Sequence, residues 1–202
     1  MSDTRGAHAV VVLAAGASTR LGQPKQLLRR DDETLLHRVV RLAEGTAPTV
    51  VVVVLPPASA VFAEALVGLD HATAINPDPR RGIASSLQAA APWVHAQARV
   101  LVLGCDQPAL EAAHLHALLT AARHAASGCA ATALEGTLGV PAVVPGHWFA
   151  DPAAGTADSG FRARLRALAK ATVGVVEAPG LALDIDTPDD LRTARRLGLI
   201  DP

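Results

Sequence analysis

Arg20 and Lys25 lie just behind a run, Ala14 to Ser18, that offers almost no side chain. Small residues let backbone N–H groups face an anion directly. An arginine can fork onto phosphate oxygens, and a lysine adds a point charge. Gly22 and Pro24 shape the path between the two cations. A phosphate cradle is one reading of this stretch; a tight turn with solvated charges is another. A third is a secretory leader, because Arg5 precedes an apolar run and "AGAS" is a small-residue stretch of the kind that is cleaved. That reading is disfavoured, since cleavage would discard the strand that positions Arg20 and Lys25. The loop is not a Walker motif, because no Gly-Lys-Ser/Thr opens a helix, and it is not Gly-x-Gly-x-x-Gly.

Three further stretches could carry chemistry. In "LVLGCDQPAL" (Leu101 to Leu110), Asp106 directly follows an apolar strand pattern and precedes Pro108. Aspartate is rarely buried without a partner, and Mg²⁺ typically takes one or two carboxylates plus substrate phosphates. A turn or helix N-cap is the alternative. In "LDIDTPDDL" (Leu183 to Leu191), Asp184 and Asp186 share a face if the chain is extended, with Ile185 opposite. They suit a metal, or they only decorate the approach to a helix. "NPDPRRGIASSLQAA" (Asn76 to Ala90) reads as a turn into a helix with Ser85 and Ser86 in its first turn, and ordinary capping explains it. Arg80 and Arg81 reach a phosphate there or are solvated.

The elements that must position these residues alternate. Strand patterns cover His8 to Ala14, Thr49 to Leu55, Ala72 to Ile75, Arg99 to Gly104, Cys129 to Leu134, Gly139 to Val144 and Val173 to Glu177. The valine-rich runs lack alternation, as expected of strands covered on both faces. Helical patterns cover Thr34 to Glu44, Ala58 to Val67, Gly82 to His95 (with Pro92 as a break or kink), Leu110 to Ala126 and Phe161 to Ala169. A last helix begins with Thr187 as cap, Pro188 at its first position and Asp189 and Asp190 at its positive end. Pro141 cannot donate to a ladder, which predicts that its strand lies at an edge. This alternation predicts an open α/β sheet. Ligands bind outside the carboxyl ends of such strands, where the Ala14 to Ser18 run and Asp106 both fall.

The 202 residues fit one domain, residues 1–202. Lys plus Arg is 18 and Asp plus Glu is 19, so the chain lacks the basic footprint of a nucleic-acid partner. Nothing reads as a membrane span: Val50 to Leu69 comes nearest, and Pro56, Pro57 and Glu64 interrupt it. Cys105 and Cys129 form no disulfide framework or zinc pattern; they read as buried thiols of a cytoplasmic protein. His37, His95, His114, His116 and His124 fall on helical patterns, look like surface residues and show no ligand spacing.

"LAAGASTRLGQPKQLL" resembles the signature of the MobA-like NTP transferases, the nucleotidyltransferases related to molybdenum cofactor cytidylyl- and guanylyltransferases. The family form is Leu-Ala-(Ala/Gly)-Gly-x-Ser-x-Arg-(Met/Leu)-Gly-x-x-Lys, and every fixed position is matched. The resemblance covers most of the chain. With the Pro141 strand, it implies a Rossmann-like three-layer sandwich, a mostly parallel sheet with an antiparallel edge strand. It implies that Leu13, Ala14, Ala15, Gly16 and Ser18 contact base and phosphates, and that Arg20 and Lys25 hold the triphosphate. It further implies that Asn76, Gly82 and Ser86 read the base. Asp106 and Asp186 would bind Mg²⁺ (or Mn²⁺), with Asp184 left open; Arg20, Lys25 and Asp106 are the catalytic set. "GVPAVVPGHWF" and "ADSGFRARL" resemble acceptor-side segments, so His147, Trp148, Asp158 and Arg162 face a pterin or its phosphate, or else Trp148 is core and Arg162 a solvated helix residue.

The implied reaction moves a nucleoside monophosphate from a triphosphate to a phosphate-bearing acceptor, a molybdopterin-type cofactor, and releases pyrophosphate. A molybdoenzyme is the implied protein partner. Such a phosphate acceptor is already ionised, with a second pKa of about 6, so no general base is needed, and none stands out. Ala15 and "CDQP" match the cytidylyl-type form, which favours CTP. Competing readings are a sugar-phosphate or isoprenoid-precursor nucleotidyltransferase, and a non-catalytic nucleotide or pterin carrier. An NAD-dependent oxidoreductase is a further reading, and it lacks the glycine fingerprint.

Overall fold

The computed structural model describes residues 7–57, 60–134, 136–151 and 160–202. Its centre is a seven-stranded sheet. β1 (Ala9–Leu13) pairs in parallel with β4 (Val51–Leu55) on one side and β6 (Val100–Gly104) on the other, and β4 pairs in parallel with β5 (Ala72–Ile75). Beyond β6 lies β8 (Thr137–Val144), antiparallel to β6 and to β7 (Ala130–Leu134); β9 (Gly174–Glu177) then adds in parallel to β7. The spatial order is β5-β4-β1-β6-β8-β7-β9.

The valine runs are explained by cover on both faces. Val10 and Val12 pack with Leu36 and Val40 of α1 (Leu35–Glu44) and with Leu115 and Leu118 of α4 (Ala112–His124). Ala9 and Val11 face the other way, onto Leu87, Ala90 and Val94 of α3 (Ile83–Val94) and Leu165 of α5 (Arg162–Ala167). Alternate residues of one strand therefore feed two separate cores, which is the three-layer arrangement. Pro92 is accommodated inside α3; in the last turn its missing N–H removes a single bond, and the helix runs on to Val94. α2 (Ala60–Ala65) is the described part of the helix expected from Ala58.

One expectation is corrected. The Pro141 strand, β8, is the antiparallel strand, but it is internal, between β6 and β7. A bulge resolves the conflict: β7 pairs Ala131 with Ala142 and then Thr132 with Gly139, so Val140 and Pro141 are looped out of the ladder. β6 stops pairing at Ala142. Bulges are the other place a sheet tolerates proline. Two side chains take up the freed carbonyls: Thr132 Oγ1 donates to Pro141 O at 2.7 Å, and Gln107 Nε2 donates to Val140 O at 3.2 Å. The parallel strand β9 holds the edge instead. It approaches α4 so closely that a Cβ on Gly174 would lie 2.8 Å from the Ala121 Cβ.

A third, smaller cluster joins two segments distant in sequence. Leu21, Leu28 and Leu35 pack with Ile185, Leu191, Ala194 and Ile200. The segment after β1 is thereby fastened to the approach and body of α6 (Pro188–Arg196). A short hairpin, β2 (Arg29–Arg30) with β3 (Glu33–Thr34), strengthens the joint: the Asp201 carboxylate accepts the N–H groups of Asp31 and Asp32 at 2.9 and 3.0 Å.

Candidate functional site

β1 and β6 end side by side, with Leu13 in register with Gly104, so the loops that leave them share one rim. The Ala14 N–H still reaches Val54 O at 2.9 Å. Backbone pairing then stops: among the described residues, the N–H groups of Ala15, Gly16 and Ala17 have no protein acceptor. Gln26, 1% exposed, sets the loop's orientation. Its Nε2 donates to Ala14 O at 2.7 Å and to Gly16 O at 2.8 Å. A trans peptide points its C=O and N–H in opposite directions, so drawing both carbonyls onto Gln26 turns the Ala15 and Ala17 amides away from it. Ser18 adopts a left-handed turn (φ 50°), and its Oγ accepts the Lys25 N–H at 3.1 Å. The same residue that bends the loop thus fixes where Lys25 begins.

Lys25 Nζ donates to Asp106 Oδ2 at 2.8 Å and to Asp186 Oδ1 at 2.9 Å. Arg20 Nη2 donates to the other Asp186 oxygen at 2.7 Å. The two acidic segments are tied directly, Ile185 N–H to Asp106 O at 2.9 Å. The capping box of α6 holds the far side: Thr187 N–H donates to Asp190 Oδ2 at 2.8 Å, and Asp186 N–H reaches the same oxygen at 3.2 Å. Burial opposes the charge on Lys25, but Asp106 and Asp186 outweigh it and raise its pKa. Burial likewise works against ionisation of Asp186, and Lys25 and Arg20 overcome it, so its carboxyl is held below the usual range. Asp184 shows the reverse. Desolvation of its carboxyl and then the Asp106 charge push it up to about 6. Burial also pushes the neighbouring Cys105 thiol up, so it is no nucleophile at neutral pH.

Asp106 depends on Gly104. A Cβ there would stand 2.5 Å from Asp106 Oδ1, so only glycine lets this carboxylate fold back over the strand end.

The opposite wall is the entrance to α3. Gly82, with φ 83°, turns the chain after a short 3-10 turn, and Ser86 follows one turn into the helix. Between the walls lies a cleft of about 260 Å³ lined by Leu13, Ala15, Gly16, Lys25, Gly82, Ser86 and Asp106 among the residues singled out from the sequence. Gln26, Pro79, Ile83, Gly104, Cys105 and Val140 complete it. A larger hollow, about 390 Å³, sits at the opposite rim among Glu44, Asp70 and His71; it contains none of the candidate residues.

Several expectations shift. Asn76 is fully buried and does not line the cleft. Its Nδ2 donates to Ser85 and Ser86 Oγ, both at 2.9 Å, and its Oδ1 accepts the Asp78 N–H. Its polar atoms are thus engaged inside the protein, with Ser86 among their partners. The Ala14 methyl belongs to the core, and Ser18 shapes the loop without lining the cleft. Trp148 is core, edge-to-face with Phe161 at 5.6 Å, and His147 is exposed. Asp158 lies outside the described residues. His114, expected at the surface, is half-buried and hydrogen-bonded to Thr132 Oγ1 at 2.8 Å. The positioning roles of Gln26 and Gly104 have no motif of their own; the one hint was their nearness to Lys25 and Asp106.

The donor set fits a hard cation of limited kind. Asp106 and Asp186 are 27% and 39% exposed at their side chains, and both offer only carboxylate oxygen. Among the described residues no group of three or more acidic, histidine or cysteine side chains is arranged to hold an ion. Lys25 stands between the two carboxylates instead. Two carboxylates suffice for Mg²⁺ when phosphate oxygens supply further ligands.

Known proteins resemble this chain in sequence and in fold. The chain matches the MobA-like NTP transferase domain over residues 10–173. It is 37% identical to the phosphoenolpyruvate guanylyltransferase of Mycobacterium sp. (strain KMS), across 96% of this chain and 89% of that one. It is also 37% identical to the probable molybdenum cofactor guanylyltransferase of Opitutus terrae, across 61% of this chain and 59% of that one. Among solved structures, the homologue of Mycobacterium tuberculosis Rv0371c from Mycobacterium sp. strain JC1 has a TM-score of 0.75 at 30% identity, covering 97% of this chain and 98% of that one. The chain belongs to the MobA-like NTP transferase family and is a nucleotidyltransferase.

Proposed function

We propose that the chain transfers a nucleoside monophosphate from a triphosphate to a phosphate monoester and releases pyrophosphate. The observation that carries this is the placement of Lys25 between Asp106 and Asp186, beside a loop whose free amides face the same rim. The loop amides hold the triphosphate, and Lys25 turns from its carboxylates to the phosphate oxygens. Arg20, 71% exposed at its side chain, swings with it. Asp106 and Asp186 would hold Mg²⁺ (or Mn²⁺), which would supply neutralisation of charge on the phosphates. Rv0371c of M. tuberculosis, of the same fold, is known as a manganese complex.

The acceptor phosphate attacks the α-phosphorus in line; a new P–O bond forms and the α–β bridge breaks. Lys25 and Arg20 stabilise the charge that gathers on the departing pyrophosphate. A phosphate monoester is largely ionised at neutral pH, with a second pKa of about 6, so no proton has to be removed. This suits a site in which Asp106 and Asp186 are engaged by cations. The pterin phosphate expected from the sequence and the phosphoenolpyruvate of the mycobacterial relatives are both phosphate monoesters. A molybdoenzyme partner belongs to the pterin case. The two buried, unpaired thiols suit a reducing, cytoplasmic setting.

Two observations bear on the base. The Ala15 methyl, 2% exposed, walls the cleft and supports a pyrimidine, hence CTP. The relatives are guanylyltransferases by name, which supports a second reading with GTP. One methyl discriminates by only about 1–3 kcal/mol. Thermal stabilisation by each triphosphate with Mg²⁺ decides: a larger shift with CTP upholds the first reading, and an equal or larger shift with GTP replaces it.

A further inference from the structure

On the α1 side of the sheet, behind the strand end that leads to Asp106, lies a narrow hollow of about 10 Å³. Leu35, Val39 and Leu42 of α1 and Leu110 of the loop after Asp106 give it apolar walls. Two polar side chains, Arg38 and Gln107, line it as well. Each has one buried atom without a hydrogen-bond partner among the described residues: the Arg38 Nε–H, a donor, and Gln107 Oε1, an acceptor. A buried polar group left unpaired bears its full desolvation cost, so native structures leave few of them. Two orphans of opposite kind on one hollow call for a shared partner.

Neither side chain is free to turn elsewhere. Arg38 Nη2 donates to Leu110 O at 3.1 Å and to Glu111 Oε1 at 2.7 Å. The guanidinium is planar, so these two bonds also fix where its Nε–H points. Gln107 Nε2 donates to Val140 O at 3.2 Å and to Leu181 O at 3.4 Å. Reversing this amide would set its oxygen against two carbonyls, so the oxygen stays on the far side. Size decides what can join the pair. One water needs about 10–15 Å³ of such space, and the hollow holds nothing larger.

We infer that the hollow is a binding site for a single water, which accepts the Arg38 Nε–H and donates to Gln107 Oε1. The bridge joins α1 to both segments that Gln107 holds, the β8 bulge at Val140 and the turn at Leu181. Gly104 and Cys105 wall both this hollow and the nucleotide cleft, and Gln107 follows Asp106 directly. The water therefore braces, from behind, the rim on which Asp106 stands. Neither Arg38 nor Gln107 lines the cleft, so they act as positioning residues for Asp106. That role rests on the transferase reading, whereas the water site does not.

A crystal structure of the full chain, at a resolution that shows ordered water, reads the site directly. One water should lie about 2.7–3.2 Å from both Arg38 Nε and Gln107 Oε1. An empty hollow, or Arg38 Nε bonded directly to Gln107, would overturn the site. The positioning role is read by calorimetry of CTP and, separately, GTP binding at a series of Mg²⁺ concentrations. Arg38→Lys keeps a charge beside Glu111 and loses the Nε–H; Gln107→Met keeps the bulk and loses the acceptor. Each should raise the Mg²⁺ concentration for half-maximal triphosphate binding about tenfold, the scale of losing an outer partner of a metal ligand. Val39→Ala, an apolar change on the same wall, should lower the melting temperature without that shift. An equal shift in Val39→Ala, or none in either polar variant, would overturn the positioning role. The outcomes separate from those of the transferase reading. Water in place with no pyrophosphate release from any triphosphate removes the transfer and the positioning role and leaves the site; release with an empty hollow removes this inference alone.

Discussion

At the scale of single residues, the site is an ion cluster that stands ready to be exchanged. Lys25 satisfies two carboxylates that would otherwise face each other across a short gap. Removing it, or Asp106, takes away one preorganised electrostatic group, and such losses cost about 10²–10³ in turnover. Lys25→Ala and Asp106→Ala should show that drop in pyrophosphate release, and near-normal rates would reject the assignment. Gly104→Ala makes a finer test. Its methyl would meet Asp106 Oδ1 at 2.5 Å, so the carboxylate must swing aside while the strand survives. Turnover should fall toward the Asp106→Ala level with circular dichroism unchanged; wild-type turnover would show that Asp106 is not needed where it stands. Of this cluster, Arg20, Lys25, Asp106 and Asp186 were legible from residue type and motif. Gln26 was not, because a glutamine that binds backbone carbonyls leaves no spacing behind.

At the scale of elements, the start of α1 carries the clearest pH signature. Glu33 accepts from Arg41 Nε and Nη2, both at 2.7 Å, and pairs with His37 Nδ1 at 2.7 Å. The Arg41 hydrogen bonds first, and His37 after them, hold its carboxyl down to about 2, against an ordinary value of 4.5. The folded state thus prefers the charged form. The stability this contributes is fully present above pH 4.5 and is lost as pH falls through about 2. Glu33→Gln should therefore melt below the wild type at pH 7, with the gap closing between those two values; a gap independent of pH would refute the linkage. Thr187→Ala tests the α6 cap. Loss of the capping side chain costs about 1 kcal/mol, and because the same box holds Asp186 N–H, Mg²⁺-dependent triphosphate binding should weaken along with the melting temperature. A melting loss with unaltered triphosphate binding would separate the cap from the site. Element identity was readable where period and caps agreed, as at Thr187. It failed at Pro141, because a bulge that hides a missing donor depends on partners, Thr132 and Gln107, brought from other strands and loops.

At the scale of the whole molecule, the cleft exists because distant segments are joined. Leu21 and Leu28 on one side and Ile185 and Leu191 on the other form the small cluster that carries Arg20 and Lys25 to Asp186. Neither segment contains a periodic pattern that announces the other, so the sequence offered the charged residues and not the apolar joint between them. Ile185→Ala should cost about 2–5 kcal/mol as a buried large-to-small change and should also loosen the grip on triphosphate. Whether this joined rim grips a triphosphate for transfer to a phosphate acceptor is decided by one assay. Pyrophosphate release is measured with each of four triphosphates, with and without Mg²⁺ and a panel of phosphate monoesters, in the wild type and Asp106→Asn. Release should need both the divalent ion and an acceptor and should fall by orders of magnitude in Asp106→Asn; no release from any triphosphate, or release indifferent to Asp106, would contradict the transfer.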